Sequence, residues 1–93
     1  MNKRNLHKLR IKIDSIDNKI FALIKKRTLI VKKMLKLKEN KKDIVDHKRI
    51  REILKKIRRK SLINKVDPKI TQMIWRSIIW SYIAYQRKKF RKK

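Results

Sequence analysis

The chain has no cysteine, no glycine and only one proline in 93 residues. Without cysteine, disulfide staples and thiolate metal sites are excluded. Without glycine, so are the Gly-rich loops that cradle phosphates and dinucleotides. Positive-φ positions are then hard to supply, which disfavours tight hairpins and favours helices. The two histidines, His7 and His47, have no second ligand at metal-binding spacing, so neither a metal nor another cofactor is expected. Long hydrophobic runs are missing too. The longest apolar stretch, Ile78 to Tyr85, is interrupted by Ser81 and falls short of the ~18 apolar residues of a membrane span. The basic N-terminus, MNKRNLHKLRIKID, lacks the continuous apolar core of a signal peptide. A cytoplasmic protein with no membrane partner is expected.

Acidic residues are scarce: seven Asp and Glu stand against 32 Lys and Arg, for a net charge of +25. Such an excess implies an anionic partner or a composition set by something other than function. Lys, Ile and Asn are abundant and share A- and T-rich codons, so a biased genome would inflate lysine without selection for binding. The positive field attracts a small dianion, although salt screens it beyond roughly 8 Å. The basic residues are spread along the whole chain and form no recognition motif, which argues against a nucleic-acid partner.

What is present is a helical pattern. Leu6, Leu9, Ile13, Ile16, Ile20, Leu23, Arg27, Ile30, Met34 and Leu37 follow one another at alternating steps of three and four. This spacing predicts one long helix over residues 4–39, with a seam that expects a partner helix. Arg27 stands where the seam calls for Leu or Ile, a costly position unless an anion satisfies it. Residues 39–45 break the pattern and read as a loop. Asp46 is a candidate N-cap for a second helix with Ile50, Ile53, Leu54 and Ile57 on its apolar face. Lys60 to Val66 read as a second connection, and Asp67-Pro68 as the start of a third helix running to about Phe90. The result is a single all-α domain over residues 1–93 with a long, a short and a medium helix. Its basic tail, from about residue 87, is expected to be solvated. A chain this short has a thin core alone and gains burial by association.

Arg27 and Lys38 are eleven residues apart, almost three whole helical turns, so they share a face with backbones about 16 Å apart. Side chains of that length can converge on one small anion. Arg10 lies about 25 Å from Arg27 along the same helix and cannot grip that molecule within one chain. Arg10 of a partner chain can, which points to a site shared between two chains. Plainer readings exist for several of these residues. Lys38 alone reads as surface, Arg10 as a rim residue beside Asp14, and Gln86 as a helix-end polar residue after Ile79 and Ile83. Trp75, Trp80, Tyr82 and Tyr85 read as packing aromatics.

Together these residues resemble a known family, the all-helical chorismate mutases. The stretch LRIKIDSIDNKIFALIKKRTLIVKKMLKLK is similar to the family's first helix, with its L-R-x-x-I-D-x-I-D pattern, a later Arg, and a Lys eleven residues beyond it. Arg10, Arg27 and Lys38 occupy those positions without gaps. Asp46 to Arg49, DHKR, resembles the start of the family's second helix, and Gln86 falls where the family has a Gln near the end of helix three. The resemblance spans essentially the whole chain. It implies an intertwined homodimer of three-helix chains with two active sites. It also implies that Arg27, and Arg10 of the other chain, bind the two substrate carboxylates. Lys38 and Gln86 would hydrogen-bond the ether oxygen of the breaking C–O bond, while Asp46 and Arg49 order the loop and helix start around the ring.

Two positions depart from the mutase pattern. The Glu that usually follows the helix-two Arg, and holds the C4 hydroxyl of chorismate, is here Ile50. The Ser four residues before the Gln is here Tyr82. Both changes resemble the isochorismate pyruvate lyases of the same fold, whose I-I-x-x-Y-I-A-x-Q ending is matched by IIWSYIAYQ at Ile78 to Gln86. The first reading is a chorismate mutase acting in phenylalanine and tyrosine biosynthesis on a small dianionic substrate. The alternative is a lyase giving salicylate and pyruvate, and a distant third is a basic nucleic-acid-binding protein. Both enzymatic reactions are pericyclic and need no nucleophile, metal or proton shuttle.

Overall fold

A computed structural model describes residues 2–91 of the chain. Three helices make up the architecture: α1 (Lys3–Leu37), α2 (His47–Ile63) and α3 (Pro68–Lys89). A 3₁₀ turn, Lys41–Ile44, lies between α1 and α2 where an irregular loop was expected. Among the described residues there is no strand, and no helix is long and apolar enough to cross a membrane. The all-α class and the long, short, medium order agree with the sequence pattern.

The chain divides into two compact units, one ending at Lys32 and the other beginning at Lys33. The first is formed by the N-terminal part of α1. Its 3-4 stripe lies open: Leu9, Ile13, Ile16, Ile20, Leu23 and Ile30 are each more than half exposed. The covered face of this segment is a neighbouring row, with Ile24 and Thr28 half-buried and Val31 buried. The Thr28 hydroxyl on this row donates to the Ile24 carbonyl at 2.8 Å, so the polar group is satisfied within the helix.

The second unit has a core of Ile44, Ile79 and Ile83, against which Leu35, Ile50, Ile53, Leu54 and Phe90 pack. Local chemistry sets its helix ends. The Asp46 carboxylate accepts from the Arg49 main-chain N–H at 3.0 Å, capping α2 as its sequence position predicts. Asp67 accepts from the Lys69 N–H at 2.9 Å, and Pro68, which has no N–H to leave unsatisfied, opens α3.

The end of α2 corrects the sequence reading. The helix does not stop at Lys60 but continues through Ile63. It closes in a Schellman motif: the Val66 N–H donates to the Ser61 carbonyl at 2.9 Å and the Lys65 N–H to the Leu62 carbonyl at 3.4 Å. Lys65 takes the left-handed conformation this motif requires, at φ 57°, where glycine is the usual residue. Because the chain has no glycine, the stop carries no sequence mark. α1 ends at Leu37, slightly short of the expected residue 39.

The tail is a second correction. α3 runs to Lys89, and Phe90 is half-buried against the isoleucine core rather than solvated. Lys92 and Lys93 of that tail lie outside the described residues. Where α2 meets α3, the hydroxyls of the buried Ser61 and the half-buried Thr71 lie 2.7 Å apart. Each hydroxyl also has a main-chain acceptor on its own helix, the Ile57 carbonyl for Ser61 at 2.7 Å and the Pro68 carbonyl for Thr71 at 3.3 Å. Nearby, the Gln72 side-chain amide donates to the Leu54 carbonyl at 2.9 Å.

Candidate active site

One face of α3 carries Ile79, Ile83 and Gln86 in line, at steps of four and three, and all three are buried. A glutamine only 7% exposed at the end of such a row needs partners for both ends of its amide. The Lys38 ammonium donates to its Oε1 at 2.8 Å, and its Nε2 donates to the Tyr82 carbonyl at 3.2 Å. An ammonium has no acceptor, so this contact fixes which way the amide faces. It uses one of the three Lys38 donors, and the contact with Tyr82 uses one of the two on Nε2. A half-buried cation and an oriented amide therefore share one locus with donor capacity to spare. Lys38 is placed there by the end of α1, where its N–H donates to the Leu35 carbonyl at 3.2 Å in a tightened last turn.

The remaining candidates are distributed as follows. Asp46 and Arg49 are exposed, joined by the capping hydrogen bond that starts α2. Ile50 is half-buried and packs against the isoleucine core. Tyr82 is half-buried one turn before Gln86. These residues all belong to the second unit. Arg10 and Arg27 belong to the first. Arg10 is exposed, whereas Arg27 is half-buried with its Nη1 nitrogen shielded from solvent. Two open grooves of the second unit, one flanked by Arg58, Lys69 and Arg76 and the other by Ile57, Val66 and Trp75, include neither Lys38 nor Gln86.

Sequence reasoning missed Ile44, which sits two residues before Asp46 and is buried against the α3 row that ends in Gln86. The available signal was an Ile-Val pair inside an otherwise charged connection, ENKKDIVD.

The chain matches the model of the chorismate mutase type II family over residues 9–87. It belongs to that family. No curated protein and no solved structure gave a match. The matched span includes Arg10, Arg27, Lys38, Asp46, Arg49, Ile50, Tyr82 and Gln86. Membership supports chorismate mutase activity in the broad sense, with chorismate as the implied substrate.

Proposed function

We propose that the chain converts chorismate to prephenate in phenylalanine and tyrosine biosynthesis, working as a homodimer whose two sites each draw on both chains. The observation that carries this reading is the hydrogen bond from the half-buried Lys38 ammonium to the buried Gln86 amide. In the rearrangement a C–O bond breaks while a C–C bond forms, and no proton or electron enters or leaves. Catalysis then has two sources. Arg27, with Arg10 of the second copy, fixes the two carboxylates and holds the enolpyruvyl arm over the ring. Lys38 and Gln86 offer donors to the ether oxygen, where negative charge grows as the bond breaks, and so favour the transition state over the ground state.

Dimerisation is supported by the open stripe on α1. Apolar side chains at a sustained 3-4 repeat call for a second helix. A second copy of the same stripe supplies one.

Ile50 favours a second reading. Its side chain packs in the core, so no carboxylate stands at the α2 position that would hold the C4 hydroxyl of chorismate. A substrate without that hydroxyl loses nothing there, which suits isochorismate cleavage to salicylate and pyruvate. Offering chorismate and isochorismate separately and identifying the product decides between the two. Prephenate from chorismate supports the mutase. Salicylate from isochorismate with no prephenate from chorismate replaces it with the lyase. No product from either substrate removes both.

A further inference from the structure

The connection between α1 and α2 carries Lys38 at its start and Asp46 at its end, and between them one side chain is deeply buried. Ile44 is 4% exposed, the last residue of the Lys41–Ile44 turn. The turn is tied internally: the Asn40 N–H donates to the Asp43 carboxylate at 3.3 Å, and the Asp43 N–H to the Asn40 carbonyl at 3.0 Å. Its outer residues, Lys41, Lys42 and Asp43, are exposed. Ile44 joins Ile79 and Ile83 in the core, with Phe90 packed against the same cluster. The α3 row Ile79, Ile83, Gln86 thus holds the connection twice, through the Ile44 side chain on its first two residues and through the Lys38 ammonium on its third.

From this arrangement we infer that Ile44 is a positioning residue for the reaction. The inference rests on the reading of Lys38 and Gln86 as donors to the substrate. Ile44 touches no reacting group. It clamps the connection to α3 so that Lys38 stays in register with Gln86. An ammonium on a long, flexible side chain has many rotamers, and one hydrogen bond selects weakly among them. Fixing the backbone six residues away by a buried apolar anchor narrows that choice. A shift of about 1 Å at the donors is enough to lower turnover on the order of 100-fold.

The test compares Ile44→Ala with Ile44→Val, and with Ile57→Ala as a control. Ile57 is half-buried on α2 and is absent from both the Ile44 cluster and the site. Turnover is measured with chorismate and isochorismate, below the unfolding transition of each variant. The Gln86 side-chain amide is followed by its 1H–15N resonances, with Lys38→Met marking the broken contact. For Ile44→Ala the expected result is a fall in kcat of about 10- to 100-fold with little change in KM. Its Gln86 resonances should move toward the Lys38→Met positions. Ile44→Val recovers most of both readouts but not all, and Ile57→Ala loses stability without either change. The inference is overturned if Ile44→Ala keeps wild-type kcat and amide resonances, or if Ile57→Ala moves them as much. If the wild type turns over neither substrate, the functional reading fails separately, and the Gln86 resonances still decide whether Ile44 holds the Lys38 contact. Should Ile44→Ala fail to fold, Ile44→Val carries the test, with a smaller displacement expected in the same direction.

Discussion

Replacing Lys38 by methionine removes the ammonium while keeping most of the side chain's length and apolar bulk. Two consequences follow from the geometry, and they can be separated. The first is on stability. Gln86 is 7% exposed and its Oε1 accepts from Lys38 at 2.8 Å. Losing the donor strands a buried amide oxygen, which costs about 1–3 kcal/mol. Replacing Gln86 by methionine as well removes the stranded acceptor. The Tyr82 carbonyl then loses only its contact with Nε2, since the helix ladder already provides it with a main-chain partner. The double variant should therefore recover to within about 1 kcal/mol of wild type, because removing both partners of a buried hydrogen bond is nearly neutral. The second consequence is on turnover. On the proposed function, either substitution removes a donor to the ether oxygen, so kcat should fall about 10²–10³-fold, and the double variant should not recover. Urea unfolding reads the first effect and initial-rate kinetics the second. A double variant as unstable as Lys38→Met, or one whose turnover returns with its stability, refutes the reasoning.

Three further outcomes are expected. Lys65→Gly should raise stability by about 0.5–1 kcal/mol in denaturant titrations, because the side chain at φ 57° is relieved, less the added freedom of the unfolded chain. A loss of stability would mean that Lys65 makes a contact worth more than its backbone strain. Asp46→Ala should lower stability by about 1 kcal/mol through loss of the α2 cap, and Asp46→Asn should restore most of it. Equal losses in the two variants would assign Asp46 a role other than capping. Ile16→Glu on the open stripe of α1 should yield a monomer in sedimentation experiments and abolish turnover. A dimer of unchanged affinity would move the proposed interface elsewhere.

Much of the helical framework was legible because its signals are local. Asp46 and Asp67-Pro68 cap where their chemistry says they should, and the caps need no tertiary contact to be recognised. The stops were harder to read. A left-handed residue normally announces a helix end through glycine, and here Lys65 fills that place, so α2 was read as ending early. Phe90 was hidden by its company. Arg, Lys, Lys before it and Arg, Lys, Lys after it suggest a solvated tail, yet Ile79, Ile83, Gln86, Phe90 continues one helical row at steps of four, three and four. On α1 the long seam drew attention from the row through Ile24, Val31 and Leu35, which carries the helix's buried residue, Val31.

The site was legible in part for a similar reason. Lys38 and Gln86 are far apart in sequence and neither stands out alone; the family pattern paired them before any geometry did. Ile44 belongs to no such pattern of charges, and its importance depends on a packing partner that only the folded chain supplies.

The hydroxyl pair between Ser61 and Thr71 has an effect out of proportion to its size. Isoleucines and leucines forgive sliding: a helix displaced by one turn, about 5.4 Å, still finds grease to lie against. Two hydroxyls do not. Ser61 is 4% exposed, so in any misaligned pairing it would sit in a dry place with only its own helix to serve it, at a penalty of about 1–3 kcal/mol. One small polar match thereby vetoes the neighbouring alignments of α2 and α3. The amide of Gln86, about four turns further along α3, inherits its location from that veto.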